Sequence, residues 1–138
     1  MEWMLLPYRR YFDFAGRSRR KEYWLFVLFQ LLVAVVITAI FGRTEYARVG
    51  YFASAVTNVT GAGGILLGLF RLFSFIPGLA VAVRRLHDQD KSGWLLLLVL
   101  IPFLGWFALL VLMCFDGTRG PNRFGVDPKN PTDASVFN

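Results

Sequence analysis

The sequence has few of the residues that build disulfides, metal sites or nucleophilic centres. Among its 138 residues there is one cysteine, Cys114, and one histidine, His87. A single cysteine excludes an intramolecular disulfide, a multi-cysteine zinc site and a CxxC redox motif. The apolar neighbours of Cys114 predict a small buried side chain. One histidine beside two loop carboxylates meets the requirements of a metal site poorly. We therefore expect no metal and no cofactor.

Charge is absent from a long stretch near the N-terminus. Residues 25–41 contain no charged side chain, and 56% of the whole sequence is hydrophobic. Crossing about 30 Å of hydrocarbon takes about 20 helical residues, so this run has membrane length. Basic residues at 17–21 precede it, and the aromatic pair Tyr23 and Trp24 stands at the junction. This order predicts an anchor with its basic end in the cytoplasm and the aromatic pair at the lipid headgroups.

Three segments have the length and polarity of membrane spans, namely residues 23–41, 64–83 and 94–115. Each is expected to be helical, because an open strand would leave backbone groups unpaired in lipid. The third contains Pro102 and Gly105, so it is either one kinked helix or a hairpin. We favour the kinked span, because each arm of a hairpin would measure about 15 Å, which is half a bilayer.

These spans predict an all-α membrane protein, a small polytopic bundle of three transmembrane helices, or four segments if the third is a hairpin. Residues 1–128 would form a single transmembrane domain, and residues 129–138 a disordered tail. The Gly- and Thr-rich segment 42–63 is too polar for a fourth span. Aromatic and apolar residues mixed with arginines in the first dozen positions favour a short helix lying in the interface, although Pro7 would limit its regularity.

The orientation follows from the positions of lysine and arginine. The segment before the first span carries six, the 42–63 loop two, the 84–93 loop three and the tail three. With three crossings, nine of these cations lie inside and five outside, whereas a hairpin would give twelve inside and two outside. Both counts predict a cytoplasmic N-terminus, with anionic lipid headgroups rather than nucleic acid as the partner of the basic face.

The densest polar segment lies at residues 84–94 and contains Arg84, Arg85, His87, Asp88 and Asp90. The favoured interpretation is a tight cytoplasmic turn whose opposite charges pair with one another and with the N-terminal cluster. An alternative is a proton-transfer or ligand role for His87, whose ordinary pKa lies near neutrality. A metal site is the least favoured interpretation.

The second span contains one charge and several small residues. Arg71 is either a functional intramembrane charge or a side chain that reaches the headgroups by snorkelling. Small residues four positions apart let helix backbones approach closely and predict a packing surface, within the chain or in a dimer. These small residues are Gly64, Gly68, Gly78 and Ala82.

Three blocks of the sequence carry a resemblance to a known family. They read Phe14-x-Gly16-Arg17-x-x-Arg20-x-Glu22-Tyr23-Trp24, then Arg84-Arg85-Leu86-His87-Asp88-x-x-Lys91-Ser92-Gly93-Trp94, then Gly117-Thr118-x-Gly120-x-Asn122-Arg123-Phe124-Gly125-x-Asp127-Pro128. In this order they resemble the signature blocks of a bacterial inner-membrane family, domain of unknown function 805. The resemblance implies a small polytopic membrane protein and no particular activity. Arg119 and Arg71 are the main departures from the family pattern.

The first two blocks share the predicted cytoplasmic face, so their charges can meet. We expect one interfacial network there, in which Glu22 pairs with an arginine of the 84–85 pair and fixes the first span against the second. The expected members are Arg17, Arg20, Glu22, Arg84, Arg85, His87, Asp88 and Asp90.

The favoured function is a non-enzymatic membrane protein that serves as an accessory, structural or interaction module, with a second copy or another membrane protein as partner. One alternative is an oligomeric transporter or channel component, which would need a polar path through the spans. Another is a lipid-headgroup-binding protein or enzyme that uses the 84–93 turn.

Overall fold

A computed structural model describes residues 2–49 and 52–130, with only the backbone described at 46–49 and 52–54. The elements in chain order are α1 (Glu2–Arg9), α2 (Arg20–Phe41), β1 (Gly42–Val49), β2 (Phe52–Val59), α3 (Gly61–Asp88), a 3₁₀ helix (Gly93–Leu100) and α4 (Leu104–Cys114). The chain divides into two compact units. One unit comprises Met1–Val27 and Ile76–Asn138, and the other comprises Leu28–Phe75.

Within the described residues, α2 and α3 are the helices long and apolar enough to cross a membrane. They contain 22 and 28 residues, and a 22-residue helix already measures about 33 Å at 1.5 Å per residue. Only 11% of the most apolar window of α2 and 22% of that of α3 is buried. A core helix of a soluble protein would bury most of that surface, so these side chains are suited to contact lipid. The first two predicted spans are therefore helices of the expected kind.

The unit Leu28–Phe75 contains an element that the sequence analysis did not predict. β1 and β2 form an antiparallel ribbon in which Gly42 pairs with Val59 and Val49 with Phe52. The hydroxyls of Thr44 and Thr57 lie 2.9 Å apart across the ribbon. The segment is thus a β-ribbon in an otherwise helical chain. Hydropathy separates spans from loops, but it does not detect pairing between two polar segments.

In the same unit, close packing between helices occurs one residue before the predicted small-residue pair. A Cβ at Gly63 would collide with the side chain of Phe41, whereas a Cβ at Gly68 would meet nothing within 4 Å. Gly64 instead faces the carbonyl of Val59, 2.8 Å from an added Cβ. Arg71 is exposed and has no ion pair within the described part of the chain.

The predicted third span is a hairpin, so the kinked single helix that we favoured is wrong. The 3₁₀ helix and α4 pack against each other across a turn in which Phe103 adopts a φ of 60°. The indole N–H of Trp106 donates to the carbonyl of Val99 at 2.8 Å, which joins the two arms. Past the far end of α4, the N–H of Thr118 donates to the carbonyl of Asp88 at 2.8 Å. The end of the hairpin therefore lies near its beginning.

Each arm of this hairpin is about 16 Å long, from eight residues at about 2.0 Å in the 3₁₀ helix and eleven at about 1.5 Å in α4. That length reaches only half of a bilayer, as the sequence argument had noted. The hairpin is stable as a unit because Gly105 lets its arms touch: a Cβ there would collide with the carbonyl of Leu98.

The unit that holds both chain ends has a small apolar core and a large polar one. Ala82, Leu86 and Met113 form the buried apolar cluster, which accounts for Ala82 among the predicted packing residues. Tyr8 of α1 contacts Phe26 edge-on, with ring centroids 5.2 Å apart. The predicted N-terminal helix is present as α1, and its place in the membrane interface stays a prediction.

Two further expectations concern the C-terminal part. Cys114 is exposed rather than buried, because it lies on the outward side of the last turn of α4. Of the predicted disordered tail, Lys129 and Asn130 donate hydrogen bonds to Asp127, while residues 131–138 lie outside the described residues.

Candidate functional site

Two arginines, Arg84 and Arg85, are the largest fully buried side chains of the described residues. We call five buried charged residues the charge cluster: Arg17, Glu22, Arg84, Arg85 and Asp88, each at most 6% exposed. Glu22 comes from the first turn of α2, and the two adjacent arginines and the aspartate come from the last two turns of α3. The segment before α2 is fixed against α3 because the N–H of Ser18 donates to the carbonyl of Arg84 at 3.1 Å.

Asp88 is shared by two arginines. Its Oδ1 accepts from Arg17 Nε at 2.9 Å, and its Oδ2 accepts from Arg85 Nη1 at 2.6 Å. The side chains of Arg17 and Arg85 are 1% and 0% exposed, and that of Asp88 is 4% exposed. Because water is excluded, one carboxylate has to balance two guanidinium groups at short range.

Glu22 forms the second half of the charge cluster. Its Oε1 accepts from Arg84 Nη2 at 3.0 Å, with both side chains at most 3% exposed. The structure thus contains the expected link from the first span to the second, and Arg84 rather than Arg85 makes it. Arg84 Nη1 also donates to the carbonyl of Asp13 at 3.1 Å. The side-chain hydrogen bond from Arg10 lowers the pKa of Asp13 most, so this carboxylate stays ionised near the cluster.

The C-terminal segment closes over the charge cluster. Arg17 donates from Nη1 to the carbonyl of Gly120 at 2.6 Å and from Nη2 to that of Thr118 at 2.5 Å. Gly117 lies directly on Asp88, since a Cβ at this glycine would collide with the carboxylate. Arg17 therefore joins α3 to the tail, and glycine is needed where the tail passes over the ion pair.

Polar side chains also donate hydrogen bonds to the end of α4, where a helix leaves its last carbonyls without backbone partners. Four successive carbonyls, those of residues 112–115, accept hydrogen bonds from Gln89, Arg85 and Arg20. The two cations lie at the negative end of the helix dipole, where positive charge is stabilising. The hairpin is thus terminated by the same arginine that pairs with Asp88.

Partly exposed contacts surround the buried charge cluster. The ring of His87 stacks on Phe124 with centroids 3.8 Å apart and an interplanar angle of 4°. Asn122 Nδ2 donates to the carbonyl of His87 at 2.9 Å, and Arg123 pairs with Asp90 at 3.1 Å. These contacts use the third sequence block to cover the second.

Asp116 lies at the exposed edge of these peripheral contacts. It pairs with Arg20 at 2.8 Å and with Lys129 at 2.6 Å. The hydrogen bond from Lys129 is the main reason that its pKa is lowered. The expected network members Arg20 and Asp90 thus pair with the tail instead of joining the charge cluster.

Asp127 is the other buried carboxylate of the tail, 5% exposed. Burial alone would raise its pKa, but the backbone N–H groups of Lys129 and Gly120 donate to it, and the nearby guanidinium of Arg17 adds to their effect. The net result is a pKa below the ordinary value of 3.8. With Asp127 included, three buried carboxylates match the three buried arginines.

The buried arginines use their donors within the chain. Every guanidinium nitrogen of Arg17 and Arg85 has an acceptor within the chain. Within the described residues there is no group of three or more His, Cys, Asp or Glu side chains that could hold a metal ion. His87 has no hydrogen bond to Asp88 or Asp90 in that part of the chain, so the acid–base arrangement considered from the sequence is not assembled. The charge cluster thus ties together the first turn of α2, the end of α3 and the tail.

The sequence analysis did not place the tail in this site. Thr118, Gly120 and Asn122 supply carbonyl or amide contacts, Asp127 supplies a charge, and Gln89 caps α4. The signal was present in the third block, whose Gly, Asn and Asp residues are dense and follow one another in the family order. The favoured kinked helix separates this block from the second one, so that interpretation predicted no contact between them.

Comparison with known proteins gives a consistent result. The family model described as protein of unknown function, DUF805, matches residues 11–126. Inner membrane protein YhaH of Escherichia coli (strain K12) is 41% identical over 129 residues, covering 94% of this chain and 98% of that protein. Inner membrane protein YhaI of the same strain is 39% identical over 137 residues, covering 94% and 97%. No solved structure gives a significant match. The chain therefore belongs to the DUF805 family of bacterial inner-membrane proteins.

Proposed function

We propose that this protein is a non-enzymatic, multi-pass protein of the cytoplasmic membrane that presents a rigid polar surface to a membrane protein partner. We call this surface the polar cap; it consists of residues 89–93 and residues 116–130, and the buried charge cluster lies beneath it. The observation that carries the proposal is the internal use of Arg17 and Arg85. Their guanidinium groups bind carboxylates and carbonyls of the chain itself, so the three sequence blocks act in building a surface rather than in chemistry.

The proposal places the polar cap in the cytoplasm. With a hairpin at 93–114, the N-terminal segment, the 84–93 loop and the tail lie on one side and carry twelve lysines and arginines, against two in the 42–63 loop. Such a bias is what sets the orientation of membrane proteins. The two spans are then α2 and α3, and the β-ribbon faces the periplasm.

The orientation can be tested with single cysteines, because Cys114 is the natural one. In a Cys114→Ser background, Lys129→Cys and Arg43→Cys are labelled in spheroplasts with a membrane-impermeant maleimide. The expected result is labelling at position 43 only, with labelling at position 129 after lysis. Labelling of both positions in intact spheroplasts would contradict the proposed topology.

The interaction role needs a test that an enzyme or a channel would fail. A photo-crosslinking amino acid at Arg119, an exposed tail position, is expected to give discrete products in native membranes, whose partner is identified by mass spectrometry and confirmed by crosslinking from the partner side. The matched control at Arg43 should not give those products, and Asp88→Asn should remove them by releasing the cap. Ion flux or lipid turnover by the purified protein in proteoliposomes, lost in His87→Ala, would overturn the proposal.

A further inference from the structure

One groove of the molecule combines exposed cations with apolar walls. It lies between the first turns of α2 and the end of α4, has a volume of about 640 Å³, and is lined by Arg20, Lys21, Trp24, Leu25 and Cys114. All five residues belong to the unit that holds both chain ends. Residues 21, 24 and 25 share one face of α2, because positions three and four apart are neighbours on a helix.

The positive charge of this groove is not consumed within the chain. Lys21 is exposed and forms no ion pair in the part of the chain that the structure describes. Arg20 shares Asp116 with Lys129, so two cations face one carboxylate there. This differs from Arg17 and Arg85, whose donors all end on acceptors of the chain. An anion can therefore bind at the mouth of the groove without breaking the charge cluster.

The depth of the groove suits one kind of anion. Its cations stand at the last basic positions before the uncharged run of α2, and its walls continue with Trp24 and Leu25 into that run. Tryptophan is enriched at the level of lipid headgroups, and basic pockets between membrane helices bind anionic headgroups. A ligand that fills the groove needs a negative group at its mouth and hydrocarbon below.

We propose that this groove binds one anionic glycerophospholipid, with the phosphate on Lys21 and Arg20 and the upper part of an acyl chain along Trp24, Leu25 and Cys114. The charge complementarity between the phosphate and the two cations, Lys21 without an ion pair among the described residues and Arg20 on the carboxylate that it shares with Lys129, selects the ligand class. The apolar wall selects a lipid over free phosphate. This site lies outside the charge cluster and beside the polar cap.

The test uses the full chain in nanodiscs, with phosphatidylglycerol in phosphatidylcholine as the probe, and native mass spectrometry to count lipids that stay bound. Both leaflets have the same composition, so the result does not depend on the orientation proposed above. One lysine near the surface contributes about 1 kcal/mol to anionic lipid binding, so Lys21→Gln is expected to weaken retention about fivefold. Cys114→Trp, which fills the groove and keeps every charge, should remove the bound lipid.

The matched control is Lys91→Gln, which removes the same charge from a lysine that does not line the groove. Retention like that of the unchanged protein supports the site, whereas equal losses in Lys91→Gln and Lys21→Gln would show diffuse attraction and overturn it. Equal retention of the zwitterionic lipid would overturn it as well.

Cys114 provides a second readout in the unchanged protein. Anionic lipid in the nanodisc should slow maleimide labelling of this thiol more than labelling of Lys91→Cys in a Cys114→Ser background. Equal slowing at both positions would reflect the surface potential alone and contradict the site.

Discussion

Replacing Asp88 by asparagine removes one negative charge from the centre of the charge cluster and changes the side-chain volume very little. In the native protein this carboxylate accepts from Arg17 at 2.9 Å and from Arg85 at 2.6 Å. In Asp88→Asn one oxygen remains as an acceptor, and the new NH₂ group faces a guanidinium donor. Arg17 and Arg85 then lose the carboxylate that they share, and the buried charges are out of balance by one.

The expected cost follows from the burial of the pair. The three side chains are at most 4% exposed, so water cannot compensate the lost charge, and breaking a buried ion pair by removing one partner costs about 3–5 kcal/mol. The exposed pair Asp90–Arg123, with side chains 47% and 61% exposed, gives a matched control. Asp90→Asn is expected to cost about 0–1 kcal/mol.

The assay is limited trypsin digestion of the purified protein in detergent, because exposed arginines lie in the tail that the cluster holds. Cleavage after Arg119 requires local opening, and its rate follows the free energy of that opening when closing is fast. Asp88→Asn should therefore speed cleavage at least about a hundredfold, the factor that corresponds to about 3 kcal/mol. Tryptophan fluorescence during denaturant titration measures the global free energy of unfolding in parallel.

The energetic role of the buried pair would be refuted if trypsin cleaved Asp88→Asn and Asp90→Asn at rates within about threefold of each other, a difference of less than about 1 kcal/mol. That result would mean that the buried arginines find other partners or water. A large global loss with unchanged tail cleavage would place the effect in α3 and not in the contact with the tail.

Three further predictions follow from the same contacts. Glu22→Arg should lower membrane abundance, and adding Arg84→Glu should restore part of it by reversing the pair; no recovery would disprove the pairing. Gly117→Ala should cost about 1–3 kcal/mol in denaturant titrations because a Cβ overpacks the carboxylate below, whereas Gly68→Ala, with open space around it, should be neutral or stabilising. Because the folded pKa of Asp127 is lowered, its contribution to stability is complete above the ordinary value of 3.8 and is lost as the pH falls through the folded pKa. Pepsin should therefore cleave the tail faster below about pH 4. The tail of Asp127→Asn should be cleaved equally fast at higher pH by a protease that is active there.

Much of the architecture was accessible from hydropathy and charge. The uncharged run before Phe41 and the apolar run before Arg84 are helices of membrane length because only a helix satisfies every backbone group within the segment. The link between Glu22 and the 84–85 pair was also accessible, because both sit at span ends predicted to share a face. Which arginine makes the link was not, since adjacent residues on a helix point about 100° apart and the sequence alone does not give the rotation of α3 about its axis.

The third apolar segment shows where sequence reasoning stopped. Its composition is the same whether it crosses once or turns at Pro102, so hydropathy cannot separate the two. The choice depends on the close approach at Gly105 within the hairpin and on distant arginines that donate to the last carbonyls of α4. Because these arginines lie up to 94 positions away along the chain, no local pattern contains them.

The sequence by itself therefore determined the solvent of this protein, the presence of its two long helices and the family to which it belongs, because these depend on local composition and on motif order. Only the tertiary structure decided that the three polar blocks meet around the buried charge cluster, with the tail above Asp88 and the last carbonyls of the hairpin bound by Arg85. The physical reason is that a buried charge is stable only beside its partner, and the position of that partner is a property of the folded chain.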